Sequence, residues 1–220
     1  MKNVQPRLHS VLFAAILALA CCNHQPCEGM ASKGAGGSGR PVAAQPEQPE
    51  QPEQPEPAKP ALVESPRDRV IREASGLIGL RETHGPNRSP QIDAMNRFTG
   101  APLGSPWCAS FNAWIYRVAD ISGSWPRSAW SPSWVASATW TRAKGGHAPL
   151  PGDAFGIWFS NLGRVAHTGL VEKWGESVTT IEGNTGASGS IGSADRDGDG
   201  SYRKRRIRSQ IYSVRDWIGP

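Results

Sequence analysis

Cysteine is scarce in this chain of 220 residues, and what there is lies unevenly. Cys21, Cys22 and Cys27 crowd the first 27 residues, and Cys108 is the only one beyond them. A lone thiol has no partner within its own part of the chain, so no disulfide framework holds residues 62–220 together. Long apolar runs are missing as well. The stretch Val11–Ala20 is unbroken for ten residues, which is too short to span a bilayer and suits the core of an export signal. Acidic charge is in deficit: residues 62–220 carry 19 Lys and Arg against 14 Asp and Glu, a net charge of +5. Such a balance suits an anionic partner, and for an exported chain a wall polymer or lipid surface is a more natural polyanion than nucleic acid.

The first sixty residues read as export segment and tether. Lys2 and Arg7 precede the apolar run, which ends Ala18-Leu19-Ala20-Cys21. Small residues at Ala18 and Ala20 fit ordinary signal-peptide cleavage. The same four residues resemble a bacterial lipobox, which would make Cys21 a lipidated first residue and anchor the protein to a membrane. The lipoprotein reading, with residues 1–21 as the signal, is the expectation; a freely secreted protein is the alternative. Residues 22–61 form a Gly/Ser and Gln-Pro-Glu linker, the latter triplet standing four times between Gln45 and Glu56. This composition favours an extended, semi-rigid spacer and cannot bury enough apolar surface to offset the entropy of ordering.

Residues 62–220 hold all nine Trp and are long enough for one domain with its own core. Ser65-Pro66 starts a helix, with serine as cap and proline at the first helical position. Val70, Ile71, Ala74, Leu77 and Ile78 fall on one face of it. Pro90–Phe98 reads as a second short helix, and Cys108, followed by Phe111, Trp114, Ile115 and Val118, opens a third. Trp125–Trp140 reads as packed irregular helices, with an aromatic wall for ligand stacking as the alternative. From Pro151 the pattern turns to strands: Ala154–Phe159, Thr168–Val171 with His167 at its mouth, Ser177–Glu182 and Tyr202–Ile207. Helices first and strands after predict an α+β domain with an antiparallel sheet.

Cys108 stands in the first turn of its helix, where free amides and the positive end of the helix dipole favour an anionic sulfur. A thiolate nucleophile needs a base, and the base an orienting partner. Of the five histidines, His9 and His24 fall in the export segment and linker, while His84 and His147 sit in loops. His167 differs, standing at the mouth of a strand beside the small residues Ala166 and Gly169, and is the candidate base, although a lone histidine there also suits a structural role. In Thr180-Ile181-Glu182-Gly183-Asn184 a strand period of two puts Glu182 and Asn184 on one face. Either could accept the imidazole N–H and fix its tautomer.

These segments resemble a known family. Pro106-Trp107-Cys108-Ala109-Ser110-Phe111-Asn112-Ala113-Trp114 looks like the nucleophile motif of CHAP domains (cysteine, histidine-dependent amidohydrolase/peptidase). Pro151-Gly152-Asp153 to Trp158 resembles the turn and strand before their histidine, His167–Glu172 the histidine strand, and Thr180–Thr185 the acid strand. Arg88–Ile92 is similar to one bacterial subgroup, and the likeness runs from about Val70 to Ile207. It implies a papain-like fold of N-terminal helices on a small antiparallel sheet, and cleavage of a peptidoglycan amide, as amidase or as endopeptidase. By the match Cys108 is the nucleophile, His167 the base, Glu182 the orienter and Asn184 a polar supporter. The expected protein is a monomer that faces the periplasm or cell exterior, with peptidoglycan as partner and no cofactor, catalytic metal or nucleic acid. The competing expectation is a non-catalytic envelope protein that binds wall polymer through a basic, Trp-rich surface.

Two motifs point elsewhere and are set aside. Asp195, Asp197 and Asp199 match the start of a calcium loop, but position twelve is Arg206 where glutamate belongs, so a hairpin turn is expected. Tyr202–Arg208 is basic enough for a nucleic-acid patch, yet reads better as the charged outer face of an edge strand.

Overall fold

The computed structural model describes residues 63–187 and 197–219, all within one compact unit. The segments read as export signal, lipid-bearing Cys21 and linker lie outside the described residues, as does Asp195.

Three helices begin the domain, two of them where Ser-Pro steps foretell it. Helix α1 spans Pro66–Gly76, and the Ser65 hydroxyl accepts from the Asp68 amide at 3.1 Å. Helix α2, Pro90–Thr99, repeats the device: Ser89 accepts from the Ile92 amide at 3.2 Å, and Gly100 closes it with φ of 76°. A left-handed end of this kind costs glycine nothing, because it has no Cβ. Helix α3, Cys108–Val118, has no side-chain cap, and eight of its eleven residues are buried. It is the central rod of the core, with no solvent face along most of its length.

Seven strands follow among the described residues: β1 Trp140–Thr141, β2 Gly145–Gly146, β3 Ala154–Phe159, β4 Arg164–Lys173, β5 Ser177–Thr185, β6 Gly200–Ile207 and β7 Ser213–Arg215. They form one sheet in the order β2-β1-β7-β3-β4-β5-β6, with every pair antiparallel. The α+β arrangement expected from the sequence is therefore observed. Alternation along the strands divides the apolar side chains between two clusters. Ala154, Leu170 and Ile181 pack with Val70, Ile92, Met95, Trp107, Phe111 and Ile115 of the helices. Phe155, Ile157, Val171, Val178, Ile211 and Val214 form a second cluster, flanked by Trp140, Phe159 and Trp174.

Two expectations need correction. His167 is the fourth residue of a ten-residue strand, not the residue at its mouth, because Val165 and Ala166 ahead of it are buried and join the sheet. The basic run on β6 is not simply an outer face. Arg203, Arg205 and Ile207 point outward, whereas Lys204 and Arg206 are 4% and 1% exposed. Strand β6 does lie at the edge of the sheet, but an edge strand still turns alternate side chains inward, and an inward charge needs only a partner.

The tryptophan-rich segment also divides. Trp134, in a 3-10 turn over Ser131–Val135, is fully buried and packs with Trp125 and Tyr116. Trp130, just before it, is 51% exposed.

Candidate active site

The site forms where the start of α3 meets β4 and β5, and two glycines make that approach possible. A Cβ on Gly183 of β5 would stand 2.7 Å from Phe111 and Trp107, so the acid strand lies directly against the nucleophile helix. A Cβ on Gly169 of β4 would stand 2.9 Å from the Glu182 Cγ, in the space through which that side chain runs. Asn112 ties the same elements together. Its buried Nδ2 donates to Thr168 Oγ1 at 3.2 Å, and Thr168 Oγ1 donates to the Phe155 carbonyl at 2.7 Å. Bulges flank both functional strands. Ala166 is the extra residue between the pairs Ile157–His167 and Trp158–Val165, and the β5–β6 register shifts between Glu182 and Thr185. Bulges next to a site commonly re-aim a side chain.

Cys108 is a free thiol, 3% exposed, at the first position of α3. Its Sγ lies 3.4 Å from Ser131 Oγ. The imidazole of His167 is wholly buried and holds Nε2 at 2.8 Å from Glu182 Oε2, while Nδ1 has no hydrogen-bond partner among the described residues. Burial alone would raise the pKa of the thiol. Its interaction with His167, together with Ser131 and the Thr168 amide, outweighs that cost and brings it below its ordinary value. Burial likewise opposes charge on His167, yet the sulfur and Glu182 raise its pKa to about 9. Both shifts favour the thiolate–imidazolium pair over the neutral pair.

Glu182 is more than an orienter of the ring. Arg206 grips it with two donors, Nε to Oε1 at 2.6 Å and Nη2 to Oε2 at 2.6 Å, and both side chains are fully buried. Thr180 Oγ1 also donates to Oε1, at 2.5 Å. Burial would drive the carboxyl upward, but Arg206 and then His167 hold it well below the usual carboxylate range. A permanently charged guanidinium therefore keeps Glu182 ionised in a place that water does not reach.

Of the residues singled out in the sequence, His167 and Glu182 are hydrogen-bonded, and Cys108 and His167 stand close enough for each to shift the other's pKa. Asn184 is buried at the end of β5, but it has φ of 55°, and the β5–β6 bulge lies between Glu182 and Thr185. Simple alternation therefore does not carry from Glu182 to Asn184. Asp197 and Asp199 are occupied by protein donors: Asp197 accepts from Asn87 Nδ2 at 3.0 Å, and Asp199 from the Tyr202 hydroxyl at 2.7 Å. Sequence reasoning missed Arg206, Asn112 and Ser131. Arg206 had a signal, because a buried glutamate on one arm of a hairpin calls for a cation on the inward positions of the other.

A groove of about 490 Å³ opens above the sulfur, a size common for sites that bind small molecules or peptide segments. Its walls include Pro102, Ser105, Pro106, Ser131, Trp130 and Arg164, and Cys108 lines its floor. His167 and Glu182 are sealed behind it, both fully buried.

No curated protein matches the chain. Residues 100–184 match the family model of the CHAP domain, a stretch that includes Cys108, His167, Glu182 and Asn184. The likeness noted in the motifs is thus borne out over that stretch, which is similar to the CHAP domain of amidases and peptidases.

Proposed function

We propose that this protein is a cysteine amidohydrolase or peptidase that cleaves an amide bond in peptidoglycan. The observation that carries the proposal is the buried cluster of Cys108, His167 and Glu182, with the imidazole held at 2.8 Å by the carboxylate and its pKa raised by both neighbours.

In this reading the Cys108 thiolate attacks the amide carbonyl carbon, forming an S–C bond and an oxyanion. The first-turn amides of α3 have no side-chain cap to accept from them, and the Cys108 N–H is suited to hold that oxyanion. As the C–N bond breaks, imidazolium His167 gives its Nδ1 proton to the departing amine. The acyl-thioester is then hydrolysed: His167 takes a proton from water, the hydroxide adds to the carbonyl, and the thiolate leaves with the acid product. Glu182 keeps the ring in one tautomer and stabilises its cation. Asn184 is assigned a supporting polar role at the end of β5. Lipidation of Cys21, with residues 22–61 as tether, would hold the domain at the envelope, facing the periplasm or exterior.

The decisive experiment incubates the wild type and Cys108→Ala with purified peptidoglycan and weighs the soluble fragments by mass spectrometry. Wild-type fragments are expected, and their masses distinguish an amidase from an endopeptidase. A loss of about a thousandfold or more is expected for the variant. Equal release by both would sink the mechanism. Wall binding by both with no release would favour a non-catalytic binder, a reading that draws on the charge of +5 and the exposed Trp130.

A further inference from the structure

Among the described residues, the groove leading to Cys108 has a single permanently charged side chain in its walls. Arg164, the first residue of β4, stands three positions ahead of His167 on the same strand. The other wall residues are prolines, alanines, a glycine, hydroxyl side chains and one indole. The guanidinium carbon lies 4.3 Å from the centre of the Trp130 ring, and Nη1 donates to the Val165 carbonyl at 3.0 Å. Stacking and that single hydrogen bond fix the plane of the group but use only part of its donor set, since a guanidinium carries five N–H bonds. Arg67, Arg72, Arg88, Arg203 and Arg206 each meet a carboxylate within 3 Å. Arg164 forms no such pair among the described residues. A cation held in one plane, partly screened from water and left without an internal anion, is arranged for an external one.

We infer that Arg164 and Trp130 form a carboxylate-binding subsite, so that the substrate is a peptide carrying a free carboxylate close to its scissile amide. This rests on the hydrolase reading above. The fork of N–H donors accepts a carboxylate in bidentate fashion, which fixes direction as well as adding attraction. A carboxamide, with its own N–H groups and no charge, is a poorer partner. Groove hydroxyls such as those of Ser105 and Ser131 cannot make this discrimination, because a hydroxyl both donates and accepts. The backing indole restricts the swing of the long side chain, so less rotamer freedom is lost on binding.

The test uses the full chain with Cys108→Ala to prevent turnover, and the peptide N-acetyl-L-alanyl-γ-D-glutamyl-L-lysyl-D-alanine. The peptide is prepared once with both carboxyl groups free and once with both amidated. Calorimetry gives each affinity, and wild-type turnover of the same pair is followed in parallel. The free acid is expected to bind about ten- to a hundredfold more tightly, with the preference erased by adding Arg164→Gln and weakened by salt. Equal affinities for the two peptides overturn the subsite, and so does a preference that survives Arg164→Gln. Because the first comparison needs no groove variant, misfolding of Arg164→Gln cannot obscure the answer. A preference in binding, with neither peptide nor intact peptidoglycan cleaved by the wild type, would uphold the subsite and overturn the hydrolase reading.

Discussion

Strand β6 carries two arginine–glutamate pairs of nearly the same geometry in opposite surroundings. Arg203 meets Glu172 through Nε at 2.8 Å and Nη2 at 2.9 Å, with the side chains 49% and 21% exposed. Arg206 meets Glu182 through the same two nitrogens at 2.6 Å each, with both side chains at 0%. In water the first pair exchanges one set of good hydrogen bonds for another and is screened by salt, so its net contribution is about 0–1 kcal/mol. The second has no water to return to. Once one partner is present the other is obligatory, whatever the pair contributes as a whole. The difference shows that solvent, more than geometry, separates an interchangeable charge from an indispensable one.

The largest effect should come from breaking only half of the buried pair. Arg206→Met leaves Glu182 charged in a sealed site and should cost about 3–5 kcal/mol in denaturant unfolding. Adding Glu182→Met should restore much of that stability but no activity. If Arg206→Met unfolded like the wild type, the comparison would fail at its stronger end. On turnover, Glu182→Gln should lower kcat by about a hundredfold or more, through the wrong ring tautomer, whereas Glu172→Gln should stay within about twofold.

The pH dependence of stability sharpens the contrast. The pKa of Glu182 is lowered by folding, so its contribution is present above the ordinary 4.5 and is lost as pH falls below that value. That of His167 is raised to about 9, so its contribution is complete below the ordinary 6.5 and is lost as pH rises towards 9. Unfolding free energy measured from pH 3 to 10 should therefore fall at both ends, and in Arg206→Met the acid decline should shrink, because without the guanidinium folding no longer lowers the Glu182 pKa so far. The smallest effect belongs to Arg203→Met, at less than about 1 kcal/mol and shrinking further with salt.

Much of this molecule can be read along the chain because its signals are local. The Ser65-Pro66 and Ser89-Pro90 steps mark helix starts through bonds spanning three residues. The apolar run Ala154–Phe159 is a strand with those bounds. The order of Cys108, His167 and Glu182 was legible because each group needs the next chemically. What escaped depends on long-range pairing. Strands β1, β2 and β7 have only two or three residues each, too few to show a period. The inward turn of Arg206 depends on its register opposite Val178 in β5. The bend at Asn184 interrupts the alternation that should have carried from Glu182. Asn112, in the middle of an apolar helix, gave no hint that its amide would reach across to Thr168.

The bidentate grip of Arg206 on Glu182 bears on the whole proposed cycle. With thiol and neutral imidazole, the four groups sum to zero charge. They sum to zero again as thiolate and imidazolium, and once more when the sulfur is acylated and the ring is neutral. Without the guanidinium every one of these states would leave an uncancelled anion in a sealed pocket. The interior is thus electroneutral at each resting point, and proton transfer within it moves a dipole without ever creating a net ion.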